Sequence, residues 1–138
     1  MSDFLDAMEA LAGAFSGITG LQRHAFPPGE LGTVPAVVVS VGDGEFGNYS
    51  PTMDDDVTDL DLVVTVFVQW GETRAAWQKL TPFIAPAGTS SLIAAVNADT
   101  TLAAVVDSVL IGRPRNLGPY TWGATRYLGA EFPVEVFL

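Results

Sequence analysis

Residues 57–70, VTDLDLVVTVFVQW, constrain the fold more than any other stretch of this chain. One parity, Leu60, Leu62, Val64, Val66, Val68 and Trp70, is wholly apolar. The other, Asp59, Asp61, Val63, Thr65, Phe67 and Gln69, begins acidic and ends mixed. Successive side chains of a strand point to opposite sides of the sheet, so this alternation predicts a strand with one fully buried face. Its β-branched and aromatic residues agree. The strand emerges from Asp54-Asp55-Asp56 and turns at Gly71 into a helical pattern, so a core and an acidic loop are joined on one element.

The other segments supply partners for that strand. Phe4, Leu5, Met8, Leu11, Ala12 and Phe15 recur at helical spacing, which predicts an amphipathic helix over 3–15 capped by Ser2 and ended by Gly17 and Gly20. Residues 21–35 read as irregular around Pro27-Pro28-Gly29, and 36–41 (AVVVSV) as a strand. In 72–84, Trp77, Leu80 and Ile84 fall on one helical face with Phe83 beside them, and Pro82 should end or kink the helix near Thr81. Thr89 or Ser90 can cap a third helix over 91–97. A strand follows at 106–111, then a turn-rich loop at 112–123. The closing strand, 125–138, sets Leu128, Ala130, Phe132, Val134, Val136 and Leu138 toward the core. Pro133 cannot donate a ladder hydrogen bond, so that strand should be an edge or bulged there. The expected fold is α+β: one mainly antiparallel sheet of about four to five strands packed against two to three helices. The 138 residues fit a single domain, 1–138, with a long loop or hairpin arm at about 42–58.

Charge and composition exclude several functions. The net charge is −10, and the six basic residues are scattered, so no basic face for gripping nucleic acid is expected. There is no cysteine, hence no disulfide, thiolate metal site or thiol nucleophile. No apolar run approaches the ~20 residues that span a bilayer. The first basic residue is Arg23, so no secretory leader is expected. His24, the single histidine, has no partners in the sequence that would make a catalytic triad or a histidine metal site. With no nucleophile–base pair and no evident carboxylate pair, the chain is expected not to be an enzyme and to need no cofactor.

Two motifs invite a ligand. Gly42-Asp43-Gly44-Glu45-Phe46-Gly47 matches G-x-G-x-x-G after a strand, but Asn48-Tyr49-Ser50-Pro51 follows where a helix must open on the phosphates. Asp43 and Glu45 would also repel a pyrophosphate. In an EF-hand count from Asp54, the sixth and twelfth positions hold Asp59 and Thr65 instead of glycine and glutamate, so that motif fails. No metal site is assigned; a looser divalent site at Asp54–Asp61 is the alternative from another class. Phe46, Tyr49, Met53, Tyr120 and Trp122 are large apolar side chains on predicted loops, the kind that anchors interfaces.

The segments ITGL (18–21), PPGELGTVPAVVV (27–39), VTVFVQWG (64–71), PAGTSSLIAAVNADTTLAAVVDSV (86–109) and YTWGATRYLGAEFPVEV (120–136) together complete a pattern. The chain resembles the tail terminator proteins of long, non-contractile-tailed phages of actinobacteria. That resemblance implies an α+β structural protein that forms a ring, usually a hexamer, on the last ring of tail tube. It would stop tube polymerisation, offer the joining surface to the head-side connector or stopper protein, and let genomic DNA pass without specific binding. Its place would be the neck of the virion, after assembly in the host cytoplasm. The family has no catalytic residues to carry over. On this view Phe46, Tyr49, Met53, Tyr120 and Trp122 would contact neighbouring subunits or partners, and Asp54, Asp55 and Asp56 would lie at the lumen or on the tube-facing side. Another neck or tail-completion protein of the stopper type is the alternative within the same class.

Overall fold

A computed structural model describes residues 2–18, 20–26, 28–29, 31–41, 48–49, 57–71, 74–102, 106 and 108–137, with the backbone alone for 2–4, 48–49 and 57–60. Two long antiparallel strands form the centre of the sheet, β4 (Val57–Gln69) and β7 (Thr125–Phe137), in register from Asp59 opposite Phe137 to Gln69 opposite Tyr127. On the free edge of β4 lie β2 (Ala36–Val41), paired from Ala36 opposite Phe67 to Val41 opposite Leu62, and then β3 (Asn48–Tyr49), paired near Val57 and Asp59. Outside β2 runs β1 (Gln22–His24), parallel to it. On the far edge of β7 lie β5 (Ser108–Ile111) and β6 (Arg115–Trp122), end to end.

Seven strand segments therefore fill five columns of one mixed sheet. The α+β fold expected from the sequence is found. The sheet is mixed because of β1, which falls in the stretch read as irregular. The loop expected at 112–123 is largely strand β6.

The period-two pattern of β4 and β7 explains the main core. Leu62, Val64, Val66 and Val68 share one face with Leu128, Ala130, Phe132, Val134 and Val136, and all are buried. Three helices cover that face. From α1 (Ser2–Gly13) come Ala7, Met8, Leu11 and Ala12; from α2 (Arg74–Ile84) come Ala76, Leu80 and Phe83; from α3 (Leu92–Asn97) come Leu92 and Val96. Burying each of the larger apolar side chains stabilises the fold by roughly 1.5–3 kcal/mol. Two helical assignments are corrected. Leu5 is 46% exposed, so the stripe on α1 turns inward through Ala7 instead. Trp77 is 39% exposed, because the inner face of α2 follows Ala76–Leu80–Phe83.

The prolines sit where the ladder allows them. Pro133 faces the break between β5 and β6, where Gly112 N donates to Pro133 O at 2.7 Å. A Cβ on Gly112 would come within 2.7 Å of Pro133 Cγ, so the chain passes the proline ring only because that residue is glycine. Pro82 does not end α2, which runs to Ile84. Its missing N–H would have served Gln78 O, and Gln78 is exposed, so that carbonyl can turn to water. The cap of α3 is Ser91, in place of the expected Thr89 or Ser90. Among the described residues no helix is long and apolar enough to cross a membrane.

Candidate interaction surface

Among the described residues the second face of the sheet is only partly covered, and its covered part is largely aromatic. Phe67 faces this side from β4, with Ala36 and Val38 from β2, Tyr127 from β7, and Leu31. The turn at Gly123–Ala124 folds β6 back on β7, which brings Tyr120 and Trp122 over Phe67. Their rings stand edge-on to Phe67, with centroids 5.6 Å away for Tyr120 and 5.7 Å for Trp122. Tyr127 completes the group at 5.9 Å. Edge-to-face pairs of this kind contribute about 0.5–1.5 kcal/mol beyond burial. Tyr120 and Trp122 are thus packed on their own domain, while both keep part of their surface exposed.

A bulge in β6 aims the polar end of this cluster. The register moves from Arg115 opposite Glu131 to Gly118 opposite Gly129, so β6 carries one extra residue. Asn116 absorbs it with φ 53°, a left-handed conformation that asparagine tolerates. Asn116 Nδ2 then donates to Glu131 Oε1 at 2.6 Å, and Tyr120 Oη donates to Asn116 O at 2.6 Å. Arg115 Nε lies 3.9 Å from the same Glu131 oxygen, an exposed contact worth at most about 1 kcal/mol. Burial, then the charge of Glu131, push the Tyr120 hydroxyl up to about 12, with Arg115 acting against them.

Charge is distributed along β4. At its N-terminal end Asp59 and Asp61 pair across to Phe137 and Glu135, so two acidic positions face each other at Asp61 and Glu135. The open second face there forms a shallow concavity that includes Val63, Pro133, Leu110 and Arg115. Leu110, on β5, is 60% exposed. The other end of β4 is basic and tryptophan-rich. Arg126 Cζ lies 4.6 Å from the ring centroid of Trp70, a cation–π contact worth about 0.5–1 kcal/mol at an exposed site. Lys79 Nζ donates to Gln69 Oε1 at 3.3 Å, and Arg74 and Trp77 are exposed on the same helix.

Of the residues singled out from the sequence, Tyr120 and Trp122 come together on Phe67. Tyr49 lies in β3, its backbone paired with Val57, at the opposite end of β4. Along β4 the ten residues from Val57 to Phe67 span ~33 Å at ~3.3 Å each, so these candidates form two separate surfaces. Phe46, Met53, Asp54, Asp55 and Asp56 lie outside the described residues. Among the described residues no group of three His, Asp or Glu is placed to hold a metal ion. Sequence reasoning missed Leu110, Trp77 and the basic end. The signal for the last was Arg74 and Lys79 in the helical stretch that follows Trp70. No protein-family model matches the chain, and comparison with curated proteins finds no match either.

Proposed function

We propose that this chain is a structural phage virion protein: a ring-forming tail terminator that caps the tail tube, stops its polymerisation and provides the head–tail joining surface. Its partners are further copies of itself, usually six in the family it resembles, the tail tube protein and the head-side connector. Its location is the neck of the virion. The observation that carries this reading is the polarity of the subunit along β4. One end bears the acidic positions Asp59, Asp61 and Glu135, and the other bears Arg74, Lys79, Arg126 and exposed tryptophan. A heterologous ring needs two unlike, complementary surfaces on each subunit, and this arrangement offers them. The ten net negative charges on each copy suit a lumen through which DNA slides without binding.

Light-scattering mass measurement, alone and with tube protein, tests the proposal. The expected result is a closed ring of fixed mass that binds tube ends. A strict monomer that also ignores assembled tubes would remove it. Binding to the connector but not to tubes would reassign the chain as a stopper-type neck protein.

A further inference from the structure

The acidic half of the second face has the dimensions of a seat for one helix. There β4, β7 and β5 set Asp61, Glu135 and Leu110 side by side in one row. The next row holds Val63 and Pro133, then Gly112, whose N–H reaches Pro133 O. The third holds Thr65, Glu131 and Arg115. Gly112 has no side chain, so the middle row is notched between Leu110 and Arg115, where the concavity lies. Three columns ~4.8 Å apart and three rows ~6.7 Å apart make a patch of ~10 by ~13 Å, and a helix with its side chains is ~10–12 Å across. Leu110 stands 60% exposed at its edge. The three helices among the described residues all cover the other face, so a helical layer on this one has to come from another molecule.

Charge selects the helix. On the patch Asp61, Glu131 and Glu135 outweigh Arg115, which lies beside Glu131. On a second copy, α1 turns Asp6 and Glu9 outward and has no basic residue, and α3 has no charged residue. Only α2 is basic, with Arg74 and Lys79 and no acidic residue. At 100° per residue Arg74, Trp77, Gln78 and Thr81 form the face of α2 turned away from buried Ala76, Leu80 and Phe83. Lys79 lies ~140° round the helix from Arg74, bonded to Gln69, and is not on that face. From Arg74 to Thr81 the face runs ~10 Å, within the length of the patch. We infer that the sheet patch of one copy seats α2 of the next. Trp77, 39% exposed in the single subunit, fills the notch at Gly112 against Leu110 and Pro133, and Arg74 faces Asp61 and Glu135. Tryptophan and arginine are the side chains in which interface energy concentrates. The contact joins two unlike surfaces, so it runs head to tail. It rests on the ring-forming reading, and supplies it with an interface.

Charge reversal and cross-linking test the contact, with thermal melting to check that each variant folds. Arg74→Glu sets an acidic side chain against the acidic patch and is expected to need about tenfold more protein to assemble. Asp61→Lys, which faces Arg74 with a like charge, should weaken assembly too. Combined in one chain, the two restore an attractive pair at every contact, and assembly should recover. Lys79→Glu, off the contact face, should leave assembly unchanged. No loss from Arg74→Glu, no recovery in the combined variant, or an equal loss from Lys79→Glu overturns the contact. Cross-linking leaves the contact residues in place. The chain has no cysteine, so Gln78→Cys and Arg113→Cys, both at exposed positions, can be joined by a short bis-maleimide. The two single variants mixed should give linked copies, with and without tubes, and each alone should not. Links from Arg113→Cys alone would mean that sheet meets sheet, and would overturn the contact. Rings that bind tube ends but give no mixed link remove the contact and leave the terminator reading standing. Mixed links in a protein that ignores tube ends sustain the contact and remove the terminator reading. A strict monomer, with and without tubes, removes both.

Discussion

A tyrosine ring that lies on a sheet needs a gap in the row of Cβ atoms, and Gly129 supplies one. A Cβ there would stand 2.6 Å from Val66 O and 2.9 Å from Tyr120 Cδ1. The oxygen belongs to the central strand and cannot retreat without bending it. Gly129→Ala is therefore expected to destabilise the protein by about 1–3 kcal/mol. Urea unfolding would measure this, and near-ultraviolet circular dichroism would report loosening of the aromatic cluster. A change below about 0.5 kcal/mol, the range of an ordinary surface substitution, would show that the ring is not seated on that glycine. Tyr120 also makes stability depend on alkaline pH. Its hydroxyl titrates at about 12 in the folded state against an ordinary 10.0. Between those values the unfolded chain has released a proton that the folded one still holds, so stability falls as pH rises. The contribution is full below pH 10 and gone above 12. Tyr120→Phe should give a shallower loss of stability across this window than the wild type. Equal slopes in the two proteins would contradict the assignment.

The α2–α3 connection depends on one hydroxyl. Ser91 is 1% exposed, accepts from Ala94 N at 3.1 Å, and donates to Ala85 O at 2.5 Å. It caps one helix while tying down the chain leaving the other. Ser91→Ala should cost about 1–2 kcal/mol in denaturant unfolding. Ser90→Ala should change stability by less than about 0.5 kcal/mol. If the larger loss belongs to Ser90, the cap has been placed on the wrong residue. The same elements show what the sequence made legible. β4 and β7 announce themselves through one wholly apolar parity, β2 through a short run of valines, and α2 and α3 through spacing, with the α3 cap at Ser91 instead of Thr89 or Ser90. β1 does not, because three residues beside two prolines carry no periodicity, and its parallel pairing is a tertiary fact. β6 is hidden by Gly118, Pro119 and a bulge at Asn116 that breaks the alternation. Spacing alone sets Trp77 on one face with Leu80 and Ile84, but the buried face is centred on Ala76, Leu80 and Phe83. For the candidate surface, Tyr120 and Trp122 could be chosen as large aromatics, but their packing on Phe67 required the β6–β7 turn.

At the scale of the whole molecule, β4 is enclosed in a way one buried face does not explain. Over residues 62–67 it is paired with β2 on one edge and β7 on the other. Its first face lies under the helices. On the second, Val63 and Thr65 are each only 8% exposed and Phe67 2%. The parity that looked mixed in the sequence is therefore also largely removed from water, which makes β4 the rigid element that separates the acidic end from the basic one. Amide protons there have no local route to solvent, so their exchange requires opening of the whole sheet. Native-state hydrogen exchange should find the slowest amides in residues 62–67 of β4 and in the facing residues of β7, with an opening free energy equal to that of global unfolding. β1, a three-residue edge strand with two exposed residues, should open at much lower cost. Equal protection of β1 and β4 would mean that the sheet opens only as a unit and that its edges are as fixed as its centre. Faster exchange in β4 than in the helices would remove it as the rigid base on which the two surfaces are held apart.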